Sequence, residues 1–172
     1  WLLAPAGRAG RGDGVPRGTS VPPDGLSVTA WRRSDRAEGR RLVGRADPGG
    51  YCSPRLVRDV VSADLWSGLG QLVATRPRRA MTARRNGRLA GVGAARAAWP
   101  PDVHELSMVV DPRERGCPET ALLASLLDTL GRHGRLDIQA EVGGDETAAI
   151  AALEAAGFAR QRTLERLVLR LV

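Results

Sequence analysis

A chain of 172 residues has room for one domain with a real apolar core and is short for two. With 42% hydrophobic and 26% charged residues it lies far from the composition of disordered proteins, so it should fold. A net charge of +7 raises nucleic acid or an anionic membrane as a partner, but all 26 basic residues are arginines, scattered from Arg8 to Arg170; the expectation is a solvated basic surface and no specific nucleic-acid partner.

Residues 1–25 are dense in Gly, Pro and Arg without an apolar period and read as a flexible leader, before a domain spanning 26–172. The opening Trp1-Leu2-Leu3-Ala4 is too short for a signal-peptide core, and no run approaches the ~20 apolar residues of a membrane span. A soluble, cytoplasmic protein with no membrane contact is expected. Order starts at Leu26, where 26–31 alternates as a half-buried strand, and Ser34 is placed to cap a helix running to about Val43. After the break at Asp47-Pro48-Gly49-Gly50, apolar residues recur at helical spacing over 53–75, as one or two helices. Residues 79–84 read as a strand, Asn86-Gly87 as a tight hairpin turn and 89–99 as the returning strand, whose small residues mark a close approach by something else.

A strand over 104–110 follows, then a turn, then a helix striped by Leu122, Leu123, Leu126, Leu127 and Leu130 and ended by Gly131 and Gly134. Residues 136–142 form a short alternating strand, 145–156 an Ala-rich helix stopped by Gly157, and 164–172 a closing strand. The order β-α-α-β-β-β-α-β-α-β is that of an α/β (α+β) domain with a mixed sheet.

The chemistry gathers where the strand ending at Val109-Val110 turns through Arg113, Arg115 and Gly116 into the Leu-striped helix. A strand feeding a Gly-containing turn into a helix presents unpaired backbone N–H groups and the positive end of a helix dipole, and neighbouring arginines add charged donors; the product is a phosphate cradle. The only cysteines are Cys52 and Cys117, with no Cys/His cluster, so neither a disulfide framework nor a metal site is expected. Cys117 at the helix start reads as a turn residue before a reactive thiol, and His133 as a helix end.

Val110-Asp111-Pro112-Arg113-Glu114-Arg115-Gly116-Cys117-Pro118-Glu119-Thr120-Ala121-Leu122-Leu123 resembles the V-x-P-x-x-R-G-x-G-x-G/A run into A-L-L of the GNAT acetyltransferase superfamily. Residues 146–158, ending in Gly157-Phe158, resemble its second signature, N-x-x-A-x-x-x-Y-x-x-x-G-F. The resemblance covers 26–172 and is specific from Glu105 onward. It implies a twisted mixed sheet of six or seven strands flanked by about four helices, acetyl-CoA as co-substrate with no metal, and transfer of the acetyl group to a primary amine in a ternary complex. The diphosphate would lie on the N–H groups of Arg115, Gly116, Cys117, Glu119 and Thr120, with Arg113 or Arg115 on its oxygens. The pantetheine arm would run along Val109 and Val110, where a backbone N–H would polarise the thioester carbonyl. The acceptor, an amine-bearing small molecule or a protein, would enter a groove lined by the helices over 53–75 and the hairpin at Asn86-Gly87, and a homodimer is open.

Attack by an ammonium needs a base, for which Glu105 beside His104 is the candidate; a solvated strand end is the plain alternative. Three departures from the family pattern stand out: Pro118 for a Gly or Ala, Leu153 for the tyrosine that many members use to protonate the leaving thiolate, and Glu146, or Asp145 if the register slips by one, for the asparagine. They keep a second reading alongside, a degenerate module of the same fold that binds acyl-CoA or a partner domain without turnover.

Overall fold

The computed structural model describes residues 2–5, 25–48, 55–62, 78–96, 103–131, 137–143 and 145–162. Strands β1 (Leu2–Pro5), β2 (Leu26–Ala30), β3 (Arg78–Arg85), β4 (Arg88–Arg96), β5 (His104–Val110), β6 (Ile138–Glu141) and β7 (Phe158–Arg162) form one sheet in the order β2-β3-β4-β5-β6-β1-β7. The helices are α1 (Arg36–Ala46), α2 (Arg55–Ser62), α3 (Glu119–Gly131) and α4 (Thr147–Ala155). A mixed sheet of six or seven strands with about four helices is what the sequence leads one to expect, and the described residues form it. Among them, no helix is long and apolar enough to cross a membrane.

The β3–β4 hairpin closes at Asn86 (φ 50) and Gly87 (φ 81), the pair of positive φ angles that a type I′ turn demands and that Asn-Gly supplies at low cost. Strand β4 is covered on both faces. Leu89, Val92 and Ala94 pack with Leu42 of α1 and Leu56, Val57, Val60 and Val61 of α2 on one side. On the other, Leu123, Leu126 and Leu130 of α3 join Leu106, Met108 and Ala140 of the sheet and Ile150 and Leu153 of α4. Burying each such leucine stabilises the fold by about 1.5–3 kcal/mol before entropy is counted.

The small residues of β4 have a structural purpose. A Cβ at Gly91 would meet Leu122 Cδ1 at 2.9 Å, and one at Gly93 would meet Leu126 Cδ1 at 2.6 Å, so the two glycines form a trough in which α3 lies. What approaches closely is this helix. Charged pairs fasten α1 to the hairpin: Arg84 bridges Asp35 at 3.0 Å and Glu38 at 2.9 Å, and the Leu89 N–H donates to Glu38 at 2.9 Å.

The structure departs from expectation at several elements. Ser34 does not cap a helix: residues Arg33–Asp35 form a 3-10 turn, and the Asp35 carboxylate accepts from the Arg32 N–H at 2.7 Å before α1 begins at Arg36. Within the stretch read as leader, Leu2–Pro5 forms a strand, antiparallel to both β6 and β7. Strand β7 follows directly on Gly157 (φ 89), where no strand was expected. The strand expected over 164–172, and the helical pattern beyond Ser62, lie outside the described residues.

The trough yields a test. Leu126 is fully buried and cannot swing away, so Gly93→Ala should cost about 1–3 kcal/mol by overpacking, read as a lower midpoint in urea denaturation with an unchanged slope.

Candidate functional site

The site forms where β5 leaves β6. The parallel ladder between them runs from His104↔Ile138 to Ser107↔Glu141 and stops there, while on its other side β5 stays paired with β4 as far as Gly91↔Val110. Among the described residues, Met108, Val109 and Val110 thus have their backbone in a ladder on one side only; the wedge between the ends of β5 and β6 is this break in pairing, and the three residues themselves are buried.

Strand alternation divides the side chains of β5. Leu106 and Met108 pack with α3 and α4, whereas Val109 packs with α1 and α2. Glu105 and Ser107 share the parity of Val109 and so face α1 and α2. His104, 1% exposed, shares that of Leu106 and lies on the opposite face. The structure therefore does not bring the two candidate acid–base residues together, and of the pair only Glu105 is on the side of Val109. It is half-exposed and paired with Arg96 across the β4–β5 ladder. The Asn86–Gly87 hairpin, expected in the acceptor groove, sits at the other end of β5, where Arg85 bridges Glu114 at 3.0 Å.

Beyond Val110 the turn is tightly built. Asp111 is buried, accepts from the Arg113 N–H at 3.1 Å, and is bridged by Arg45 of α1 at 2.6 Å. Burial works against its charge, but the Arg113 N–H and the Arg45 guanidinium outweigh that and hold the carboxyl below its ordinary pKa. Gly116 takes φ 89, a left-handed conformation that only glycine adopts without strain. The Leu122 N–H makes the first helical bond of α3, to the Pro118 carbonyl at 2.9 Å, so the donors at Glu119, Thr120 and Ala121 form the helix's open N-terminal turn.

The remaining cradle residues are placed as follows. Arg113 and Thr120 are exposed, and Cys117 is half-buried and a free thiol. The Arg115 guanidinium bridges Asp145 at 3.1 Å, reaching from the turn to the start of α4. Glu119 is buried and turns its carboxylate back onto the Gly116 N–H. Leu153, at the family's tyrosine position, is fully buried in the core packed by α3 and α4. Among the described residues no group of three or more His, Cys, Asp or Glu is arranged to hold a metal ion.

Two polar groups that sequence reasoning did not single out as site residues also stand here. The Ser107 hydroxyl, at the last rung of the β5–β6 ladder, is buried with no hydrogen-bond partner. Glu146, known from the sequence only as a departure from a motif, is 6% exposed, and its Oε2 likewise has no partner. Burial is the main cause that pushes its carboxyl up to about 7; Arg115 opposes the shift, and Asp145 and Glu119 add to it. No periodicity marks either residue, because the signal is a missing partner.

The sequence profile of the Acetyltransferase (GNAT) family matches residues 53–158, more than half of the chain. This chain belongs to the GNAT acetyltransferase family. Solved structures share the GNAT fold at low identity. The protein yncA of Salmonella typhimurium, solved with its cofactor acetyl-CoA, is 18% identical with a TM-score of 0.58, over 79% of this chain and 80% of that one. AAC(6')-Iy, in complex with the bisubstrate analog CoA-S-monomethyl-acetylneamine, is 17% identical with a TM-score of 0.56, over 85% and 99%. A tandem GNAT protein from the clavulanic acid biosynthesis pathway is 20% identical with a TM-score of 0.64; the match covers 91% of this chain and 48% of that protein. No curated protein matches the chain by sequence.

Two stability measurements test the geometry of this GNAT domain. The Glu146 carboxyl has an ordinary pKa of 4.5 and a folded pKa of about 7. Folding therefore favours its protonated form: the stability is complete below pH 4.5 and is lost as pH rises toward 7. Glu146→Gln should remove up to about 3 kcal/mol of that decline, read as a flatter dependence of the melting temperature on pH. Ser107→Ala, which deletes an unsatisfied buried hydroxyl, should leave stability unchanged or raise it by about 1 kcal/mol.

Proposed function

We propose that this GNAT domain transfers an acetyl group from acetyl-CoA to a primary amine. The observation that carries the reading is the fork: pairing with β6 stops at Ser107, and three residues later the chain enters a Gly-containing turn and the N-terminus of α3. A thioester tail fits a strand edge, and a diphosphate fits the donors of a helix start.

Acetyl-CoA supplies an activated thioester. The chain's own groups do the rest in this reading. The free edge of Met108–Val110 holds the pantetheine amides, and a backbone N–H at Val109 or Val110 stabilises the oxyanion. Arg113 and Arg115, with the N–H groups of the turn and of Thr120, hold the diphosphate. Glu105, oriented by Arg96, takes the proton of the acceptor ammonium on the α1/α2 face, directly or through one water. The amine then attacks without a covalent enzyme intermediate. The acceptor class, a small molecule or a protein amine, follows whatever the α1/α2 side admits. A cytoplasmic location accords with this chemistry.

The second reading is a module that binds acyl-CoA without turnover, and specific residues favour it. Leu153 buries an aliphatic chain where a proton donor would serve the leaving thiolate, and Pro118 has no N–H to give the cradle. Thiol release from acetyl-CoA over a panel of primary amines separates the two. Turnover supports the transferase, binding by calorimetry without turnover the module, and absence of binding sinks both. In the transferase, Glu105→Gln should lower kcat by about 10²–10⁴ and leave the Kd for acetyl-CoA unchanged.

A further inference from the structure

The first turn of α3 already holds an anion of its own. The Glu119 carboxylate accepts the Gly116 N–H with both oxygens, Oε1 at 2.8 Å and Oε2 at 3.0 Å. The residue is only 3% exposed, so this is a buried charge at the mouth of the wedge rather than a loose surface side chain. Gly116 takes a positive φ, and a Cβ there would meet nothing within 4 Å, so the space on its Cα side is open while its N–H is held by Glu119. The neighbouring Pro118 has no N–H, which leaves the turn few donors to spare.

The surroundings sharpen the conflict with an incoming phosphate. Asp145 and Glu146 stand at the start of α4, and a Cβ at Gly143 would touch both side chains, Asp145 Oδ1 at 3.0 Å and Glu146 Cγ at 3.3 Å. Among the described residues, the Arg115 guanidinium reaches this group: it is bridged to Asp145 at 3.1 Å and acts on Glu146 through its charge. Among the described residues, the cation paired within this group of three carboxyls is that of Arg115. Beside them Glu146 Oε2, in a residue 6% exposed, has no hydrogen-bond partner among the described residues. A carboxylate and a phosphate edge are the same kind of acceptor for a backbone N–H, and two anions cannot hold one donor.

We infer that Glu119 is a built-in competitor for the cofactor's diphosphate, so that the wedge favours the pantetheine arm while the turn disfavours the nucleotide end. The inference rests on the acyl-CoA reading above and adds to it which part of the cofactor this chain holds weakly, and why. The diphosphate must take the Gly116 N–H from Glu119 and then sit beside Asp145 and Glu146.

Calorimetry with CoA and with pantetheine, which has the same arm without the nucleotide diphosphate, tests this. In the unaltered protein, CoA should bind less than about tenfold more tightly than pantetheine. Glu119→Gln keeps an oxygen to accept the Gly116 N–H and removes the charge, whereas Glu119→Ala removes both. Each should tighten CoA at least about tenfold and change pantetheine less than about twofold, with melting curves showing that the variant is folded. Should Glu119→Ala fail to fold, Glu119→Gln alone decides. CoA affinity that stays the same or falls in folded Glu119→Gln overturns the inference and leaves the acyl-CoA reading standing. If neither ligand binds any form, the acyl-CoA reading fails and this inference fails with it.

Discussion

The structure turns on an unequal distribution of hydrogen bonds along a single strand. β5 is buried on both faces and paired with β4 to its end, yet its bonding to β6 ceases at Ser107. Buried backbone groups without partners are costly, and a sheet does not give up rungs in its middle without compensation. Here, among the described residues, the crossover through α3 and the short β6 leave the last three residues of β5 without a ladder partner on one side. The free edge, the partnerless Ser107 hydroxyl and the helix start beyond Asp111 all lie along that line.

Charge placement around this edge is uneven as well. On the α1 side, Asp111 is satisfied twice, by Arg45 and by the Arg113 N–H. On the α4 side, Glu119, Asp145 and Glu146 crowd around Arg115. The first arrangement locks the turn to α1. The second leaves a carboxyl whose proton is retained toward neutral pH, and a chain rich in arginine thus places its acids where a basic face would have been the simple solution for a phosphate ligand.

Much of this was legible in the residues. Strand β5, the Asn86–Gly87 turn, the leucine stripe of α3 and the stop at Gly157 are each written in a local pattern, an alternation, a positive-φ pair or a helical period, and each occurs where that pattern puts it. Other features depend on neighbours distant in sequence. Asp35 rather than Ser34 organises the start of α1, because its carboxylate is placed to take the Arg32 N–H. Leu2–Pro5 becomes a strand only because β6 and β7 flank it, and four residues among Gly and Pro carry no period of their own. The separation of His104 from Glu105 follows from simple alternation. The fold of Glu119 back onto Gly116 is a side-chain choice that no spacing rule reports.

The glycine trough of β4 has a bearing on motion. With Leu122 and Leu126 seated over Gly91 and Gly93, α3 is keyed to the sheet and cannot slide along it without driving methyl groups into backbone. Helix displacements of that kind take microseconds to milliseconds, whereas a side chain changes rotamer in picoseconds to nanoseconds. Any adjustment at the mouth of the wedge is therefore left to the swing of a few flexible side chains around a stationary helix tip, and arrival of a ligand need not wait for slow rearrangement of the scaffold.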